Sequence, residues 1–358
     1  MSDTVIDRTP VMDPLPDVTI ARRRMPRWAP VGIAIASIAL AVGLGLAAGW
    51  QSRVQWGMIA AAFFVIGTYT VTTAVEGSRQ AKDRIATSVV WVCFALAIVP
   101  LVSLAWVTAV RGMKVLDGYF LSHSMAGLNQ TVPGGGIYHA IIGTLEQVGF
   151  ATLIAVPVGL LTAIYLVEYG KGRLAKSVTF FVDVMTGIPS IVAGLFILST
   201  WVLTFGMGPS GFAGSLALAI LMMPIVVRST EEMLKLVPNE LREASLALGV
   251  PKWRTILKVV LPTAIGGITT GVMLAIARIA GETAPVLLLV LGSSFINNDP
   301  LDGPQASLPL YVYQEYMLGT PHSYDRAWGA ALTLIIFVMV LNLLARGIAR
   351  WKAPKTGR

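Results

Sequence analysis

The chain has 358 residues, of which 55% are hydrophobic and only 13% charged, and its mean hydropathy is +0.72. Soluble domains carry about 25% charged residues, so this composition excludes an ordinary soluble enzyme and points to a polytopic membrane protein. The net charge of +8 does not indicate a nucleic-acid partner, because the basic residues cluster at the ends of alternate apolar runs, and the single cysteine, Cys93, excludes an internal disulfide.

Residues 1–29 hold Pro10, Pro14, Pro16 and Pro26, followed by Arg22, Arg23, Arg24 and Arg27. This predicts a polar, disordered cytoplasmic tail. The apolar run after ARRRMPR is too long for a cleaved leader and predicts an uncleaved first span. Eight spans are predicted at about 30–49, 55–75, 85–110, 138–168, 178–206, 211–227, 262–291 and 327–348. With the N-terminus inside, segments 1–29, 76–84, 169–177, 228–258 and 346–358 are cytoplasmic and hold 22 of the 27 Lys and Arg residues. The exterior keeps four, Arg53, Arg111, Lys114 and Arg326, and Arg278 lies within a span. That asymmetry predicts both termini in the cytoplasm.

Beyond the second span, Gly and Pro recur at Pro157, Gly187, Pro189, Gly194, Gly266, Gly267 and Gly271. Close helix packing explains them without a functional role. The outer loops 111–137 and 292–326 are long, and SLPLYVYQEYML in the second reads as a short helix lying at the surface. Asn129-Gln130-Thr131 fits a glycosylation acceptor, a three-residue pattern read here as chance. No phosphate-cradling G-x-x-x-x-G-K-[ST] is present, and GKGRLAK has its composition but not its spacing. His123, His139 and His322 are scattered without metal-ligand spacing, and G-x-S-x-G is missing. Vectorial work by this chain must therefore draw on an ion gradient or a partner ATPase. The expected partners include membrane lipid and exclude nucleic acid, and no cofactor or metal is expected.

The longest predicted cytoplasmic loop contains PNELREASLALGVPKWRTILKVVLP, Pro238 to Pro262. Asn239 is placed to cap a short helix whose first turn carries Glu240, and Gly249 to end it in a left-handed conformation. Pro251 suits the first turn of a second helix, in which Trp253, Ile256 and Leu257 form one apolar face. Read by itself, this is an interfacial connector. The segment Glu243-Ala244-Ser245, then Gly249, with Val260-Leu261-Pro262 at the end, resembles the E-A-A pattern of bacterial ABC importer permease subunits. Ser245 stands for the second alanine, and Ile256 follows Gly249 at closer spacing than the pattern has.

Further segments narrow the resemblance. GGGIYHAIIGTLEQVGFATLIAVPVGLLTAIYLVEYG (134–170), DVMTGIPSIVAGLF (183–196) and ARIAGETAP (277–285) are similar to the phosphate importer permeases of PstA type over about residues 85–350. The resemblance implies an all-α membrane bundle of type I ABC importer permease fold, with six core spans plus two extra N-terminal spans. It divides the chain into a tail (1–29), two accessory helices (30–84), a permease domain (85–350) with a coupling helix at about 239–255, and a second tail (351–358). It implies partners: a second, PstC-type permease, a cytoplasmic ATPase dimer of PstB type that binds the ATP, an extracytoplasmic phosphate-binding protein of PstS type, and inorganic phosphate. It implies contact with the ATPase through Arg242, Glu243, Ala244, Leu248, Gly249 and Pro251. Spans one and two, and the acid Glu146 inside the fourth span, stand outside the family pattern.

Arg278 and Glu282 remain to be explained. An arginine at a membrane helix centre costs roughly 2.5–3.5 kcal/mol on insertion scales. Four residues apart, the pair would share one helix face and could be a self-contained ion pair. Alternatively Arg278 lines the substrate path and grips phosphate oxygens through two parallel hydrogen bonds, with Glu282 holding it and weakening the grip. Thr283, Asp183, Ser190 and Arg228 are further candidates for the path or its gate. Two other classes stay open: a secondary anion transporter, which leaves the E-A-A-like loop unexplained, and a membrane enzyme built around Asp183, Thr186 and Ser190. An ABC permease for another small anion is the nearer alternative.

Overall fold

A computed structural model describes residues 25–26, 28–129 and 131–352. The predicted tails fall outside these residues apart from Met25, Pro26, Trp28 and Ala29 at one end and Trp351 and Lys352 at the other. The described residues are helical, joined by turns, with one isolated bridge between Leu291 and Gln305. They fall into two compact units, one reaching to Leu104 and one starting at Ala105, so the division lies inside a helix.

The first unit holds α1 (Ala29–Ala47), α2 (Arg53–Val75) and most of α3 (Ser78–Gly112). Ser37, Thr68 and Thr73 turn their hydroxyls back onto carbonyls four residues earlier at 2.7 Å, which satisfies them within an apolar helix. Gly45 admits the Trp56 indole against α1. Glu76, just past α2, accepts two hydrogen bonds from Arg84, at 2.9 and 3.0 Å, and one from the Met25 amide at 2.6 Å.

The second unit comprises α4 (Gly118–Ser122), α5 (Tyr138–Ile164), α6 (Gly172–Thr186), α7 (Ser190–Ile197), α8 (Gly211–Lys235), α9 (Asn239–Ala247), α10 (Lys252–Thr255), α11 (Leu261–Ala280), α12 (Ala284–Val290), α13 (Leu308–Leu318) and α14 (Pro321–Lys352). Wider π turns continue α5 (Tyr165–Tyr169), α7 (Leu198–Thr204) and α10 (Ile256–Val260). The centre of the unit is α8, built from small residues on its buried face: Ala213, Gly214, Ser215, Ala217 and Ala219. Gly159 brings α5 against Val226, Gly194 brings α7 against Pro285 of α12, and Gly267 and Gly271 bring α11 against Met233 and Ser229. Without a hydrophobic drive between helices in lipid, such close approach supplies the packing that holds a bundle together.

Several elements differ from the sequence expectation. The predicted span 178–206 is two helical arms, α6 and α7 with its π turn, bent by 107° at Gly187–Pro189. Pro189 lacks an amide hydrogen and drives Ile188 out of the helical region, so the arms cannot join. The span 211–227 continues to Lys235, because Arg228, Glu231 and Lys235 pair with one another along one face. The span 262–291 stops at Ala280 and restarts at Ala284, with Pro285 in the first turn of the new helix. The helix expected at the surface, α13, instead buries Leu308, Pro309, Leu310, Tyr311 and Glu315. Among the described residues, seven helices are long and apolar enough to cross a membrane, or eight with the bent pair counted as one span. The chain is a multi-pass membrane protein.

Candidate functional site

Along α11 the residues Ala264, Ile268, Ala275 and Ile279 face the core, while Leu274 and Arg278, four apart, share an exposed stripe. Arg278 therefore points away from the core, with 68% of its side chain exposed. It lies in the last turn of α11, not mid-helix as expected, where the unpaired carbonyls of the helix end favour a cation. Glu282 lies beyond Gly281, so the two side chains do not share one helix face. Arg278 Nε stands 4.0 Å from Glu282 Oε1, at the outer edge of an ion pair and beyond hydrogen-bond length. Glu282 is 21% exposed. A Cβ added at Gly281 would meet only the Arg278 carbonyl, at 3.8 Å, so the turn between Arg278 and Glu282 is uncrowded. Ala275 is buried in the core on another face.

The depth of Arg278 follows from helix register. Gly267 faces Met233 and Gly271 faces Ser229, an antiparallel pairing of α11 with α8. Continued by seven residues, it sets Arg278 level with Met222, near the midpoint of α8 (Gly211–Lys235). Thr283 is the residue before α12 and caps it with no side-chain hydrogen bond. Ser190 begins α7 one turn before Gly194, whose contact with Pro285 puts the start of α7 beside the same α11–α12 break.

Asp183 and Arg228 form a separate group. Arg228 donates to Asp183 of α6 and to Glu231 Oε2 at 2.6 Å, and Lys235 donates to Glu231 Oε1 at 2.7 Å. The group lies in the lower half of α8, since Arg228 is six residues further along than Met222. It ties the bent arm α6 to α8 and does not touch Arg278.

In the predicted coupling segment, Gly249 takes the left-handed conformation at φ 76° after α9. The cap of α9 is Pro238, not Asn239, which occupies the first turn and accepts from Arg242 Nη1 at 3.3 Å. Pro251 sits just before α10 instead of inside it. The expected apolar face of Trp253, Ile256 and Leu257 buries only Ile256; Trp253 is exposed under the Arg254 guanidinium, 5.0 Å from its ring. Glu243, Ala244 and Leu248 point outward, Leu248 with 84% of its surface exposed. Arg242 turns inward instead, to Glu168 of the α5 π turn at 2.9 Å and to the Leu234 carbonyl at 2.9 Å.

Sequence reasoning assigned no partners to several polar residues. Glu146, unexplained by the family pattern, accepts from Gln305, and Gln147 donates to Gln305 Oε1 at 2.9 Å and to the Ala306 carbonyl at 3.1 Å. These contacts fasten loop 292–307 to α5. Glu315 and Arg326, 2% and 3% exposed, form a buried pair at 2.8 Å, and Arg326 also donates to the Val132 and Gly134 carbonyls. Burial pushes the Glu315 carboxyl up, against the downward pull of Arg326. The Glu231 pairings were legible as i,i+3 and i,i+4 spacing; the contacts of Glu146 and Glu315 join distant segments and left no local signal.

The sequence family described as "binding-protein-dependent transport system inner membrane component" matches residues 155–358. The phosphate transport system permease protein PstA 1 of Mycobacterium tuberculosis is 52% identical over 268 residues, covering 75% of this chain and 88% of that protein. The phosphate transport system permease protein PstA of Yersinia pestis is 42% identical over 276 residues, covering 75% of this chain and 90% of that protein. Among solved structures, a chain of a bacterial alginate ABC transporter in complex with an alginate-bound periplasmic protein superposes with a TM-score of 0.52. That match is 16% identical and covers 75% of this chain and 96% of the other, a likeness of fold alone.

Proposed function

Because this chain belongs to the family of binding-protein-dependent transport system inner membrane components, we propose that it is the permease subunit of an ATP-driven phosphate importer. It forms the translocation path together with a second, PstC-type permease. Identity above 40% to named phosphate permeases, across most of their length, supports phosphate over another small anion. Membership of the family disfavours the secondary-transporter reading. The observation that carries the site is Arg278: a charged, outward-facing side chain level with the midpoint of α8, beside the uncrowded turn at Gly281. A membrane arginine is turned toward a partner, a cavity or a path. Here the guanidinium compensates the phosphate charge within the apolar span, and Glu282 limits the grip so that the ion leaves.

Energy enters from a PstB-type ATPase dimer on the cytoplasmic side, which binds the ATP; this chain carries no phosphate-cradling loop in its sequence. The outward residues Glu243, Ala244 and Leu248 of α9, closed by the Gly249 turn, form the contact surface for that ATPase. Phosphate arrives from a PstS-type binding protein on the opposite face, and both termini lie in the cytoplasm. The test is phosphate uptake by the reconstituted complex. Import should require ATP inside the vesicle and the binding protein on the other face, and should persist when ionophores collapse proton and sodium gradients. Uptake that continues without ATP and stops with the ionophores would overturn the reading.

A further inference from the structure

The end of α5 is gripped from two sides. Its π turn, Tyr165–Tyr169, presents Glu168, whose side chain is only 6% exposed. Arg242 of α9 donates to Glu168 Oε1 through Nε at 3.0 Å, and its Nη2 stands 2.9 Å from the same oxygen. The same guanidinium donates to the Val237 carbonyl at 2.6 Å and the Leu234 carbonyl at 2.9 Å, at the end of α8. From the other side, Lys252 of α10 donates to the Glu168 carbonyl and lies 4.7 Å over the Tyr169 ring. A buried hydroxyl pair, Ser245 with Thr255 at 2.8 Å, ties α9 to the end of α10. Glu168 is thus where α5, α8, α9 and α10 are joined by charge-assisted bonds.

The physics favours a stiff joint. A guanidinium is planar, always charged, and holds its donors in a fixed fork, so it transmits displacement of one bonded group to the others. Without Glu168, Arg242 would tie α9 to α8 alone, through the carbonyls. The carboxylate adds α5, which packs against α8 through Gly159 and Val226. The wider π turn departs from regular helical spacing where Glu168 stands, as such turns do at functional positions.

We propose that Glu168 is a positioning residue of the transport cycle: through Arg242 it makes α5 move with α9, so that one push on the cytoplasmic face displaces α5 and α8 as a pair. This rests on the reading of α9 as the segment that meets the ATPase. Without the carboxylate, α5 keeps only its packing on α8 and the Lys252 contacts, so it follows α9 less closely and ATP is spent without full opening of the path.

The experiment measures phosphate imported per ATP hydrolysed by the complete complex in proteoliposomes, for E168Q and E168D, with the amount of co-purifying ATPase. E168Q should assemble and hydrolyse ATP, while phosphate per ATP falls by about fivefold or more, the range of ordinary site-to-site coupling. E168D keeps the charge one methylene short of Arg242 and should lose about half as much on a logarithmic scale. An unchanged ratio in E168Q overturns the proposal, as does failure of both variants to assemble, which would make the role purely structural. If only E168D assembles, its ratio decides in the same way. A cysteine at Leu248, in a Cys93→Ser chain, separates the two readings. Failure of L248C to cross-link to the ATPase sinks the coupling reading of α9, whereas cross-linking with an unchanged ratio sinks only Glu168.

Discussion

At Arg278 the side chain is 68% exposed, and the nearest carboxylate oxygen is 4.0 Å away. A closed ion pair would make each charge cheaper to bury, but this spacing leaves the arginine donors available to an anion. Arg278→Lys keeps the charge and loses the fork, so phosphate uptake should fall several-fold with normal abundance in the membrane. Arg278→Gln removes bonds to a charged group worth about 1.5–3 kcal/mol, so uptake should fall about 10- to 100-fold. Glu282→Gln should act more mildly and slow release. If the double change Arg278→Gln/Glu282→Gln restored normal uptake, the arginine would be structural and the path assignment wrong. A second residue-scale expectation concerns Glu315 and Arg326. Arg326→Met leaves Glu315 buried without its counter-charge and should destabilise by about 3–5 kcal/mol, read as a lowered Tm in detergent. Burial holds the Glu315 carboxyl above the ordinary value of 4.5. The folded state therefore binds its proton more tightly than the unfolded chain, and this stabilisation is present below pH 4.5 and lost as pH rises through the folded value. Glu315→Gln should flatten that part of the Tm-against-pH curve; an unchanged slope would remove Glu315 as its source.

Among the elements, α9 and its closing turn were the most legible. Gly249 followed by Pro251 admits few backbone paths, and the structure adopts the left-handed turn at φ 76°. Gly249→Val forces a β-branched residue into that region at a cost of about 1–2 kcal/mol. With nothing within 4 Å of the new Cβ, the effect is on the turn and not on packing. Transport should fall about tenfold on that energy scale while the chain still reaches the membrane; normal transport with normal ATPase association would refute the role given to the turn. Other elements were less legible, for identifiable reasons. Hydropathy is blind to direction, so α6 and α7 read as one span although Ile188-Pro189 carries the breaking signal. Charge in the last part of α8 reads as loop, whereas Arg228, Glu231 and Lys235 neutralise one another along the helix. The pairing of Glu168 with Arg242 spans 74 positions, and no local pattern announces it. Nor could periodicity show that α13 turns inward, since Glu315 is made burial-competent by Arg326 on another helix.

At the scale of the whole molecule, large apolar side chains cover the surface of both units: Val90, Trp91 and Leu101 in the first, Leu153, Leu161, Phe180 and Leu203 in the second. In water such exposure would drive aggregation, and in a bilayer it is the surface lipid requires. Which end of each helix faces the cytoplasm is a matter of charge. Of 27 Lys and Arg residues, 22 fall on segments that are cytoplasmic when the N-terminus is inside. The turn between α2 and α3 and the turn between α5 and α6 should then face inward, and the loops after α4 and after α12 outward. Four exposed positions test this in a Cys93→Ser chain: Ser78→Cys, Lys171→Cys, Ala126→Cys and Asp302→Cys. An impermeant maleimide added to intact cells should label Ala126→Cys and Asp302→Cys at once, and the other two only after permeabilisation. The bend of 107° between α6 and α7 makes the experiment more than a count of spans. If that pair were a re-entrant hairpin returning to its own side, positions 171 and 302 would be labelled from the same face. Labelling of Ser78→Cys from outside would instead invert the first hairpin, and with it the inward placement of α9 on which coupling to an ATPase depends.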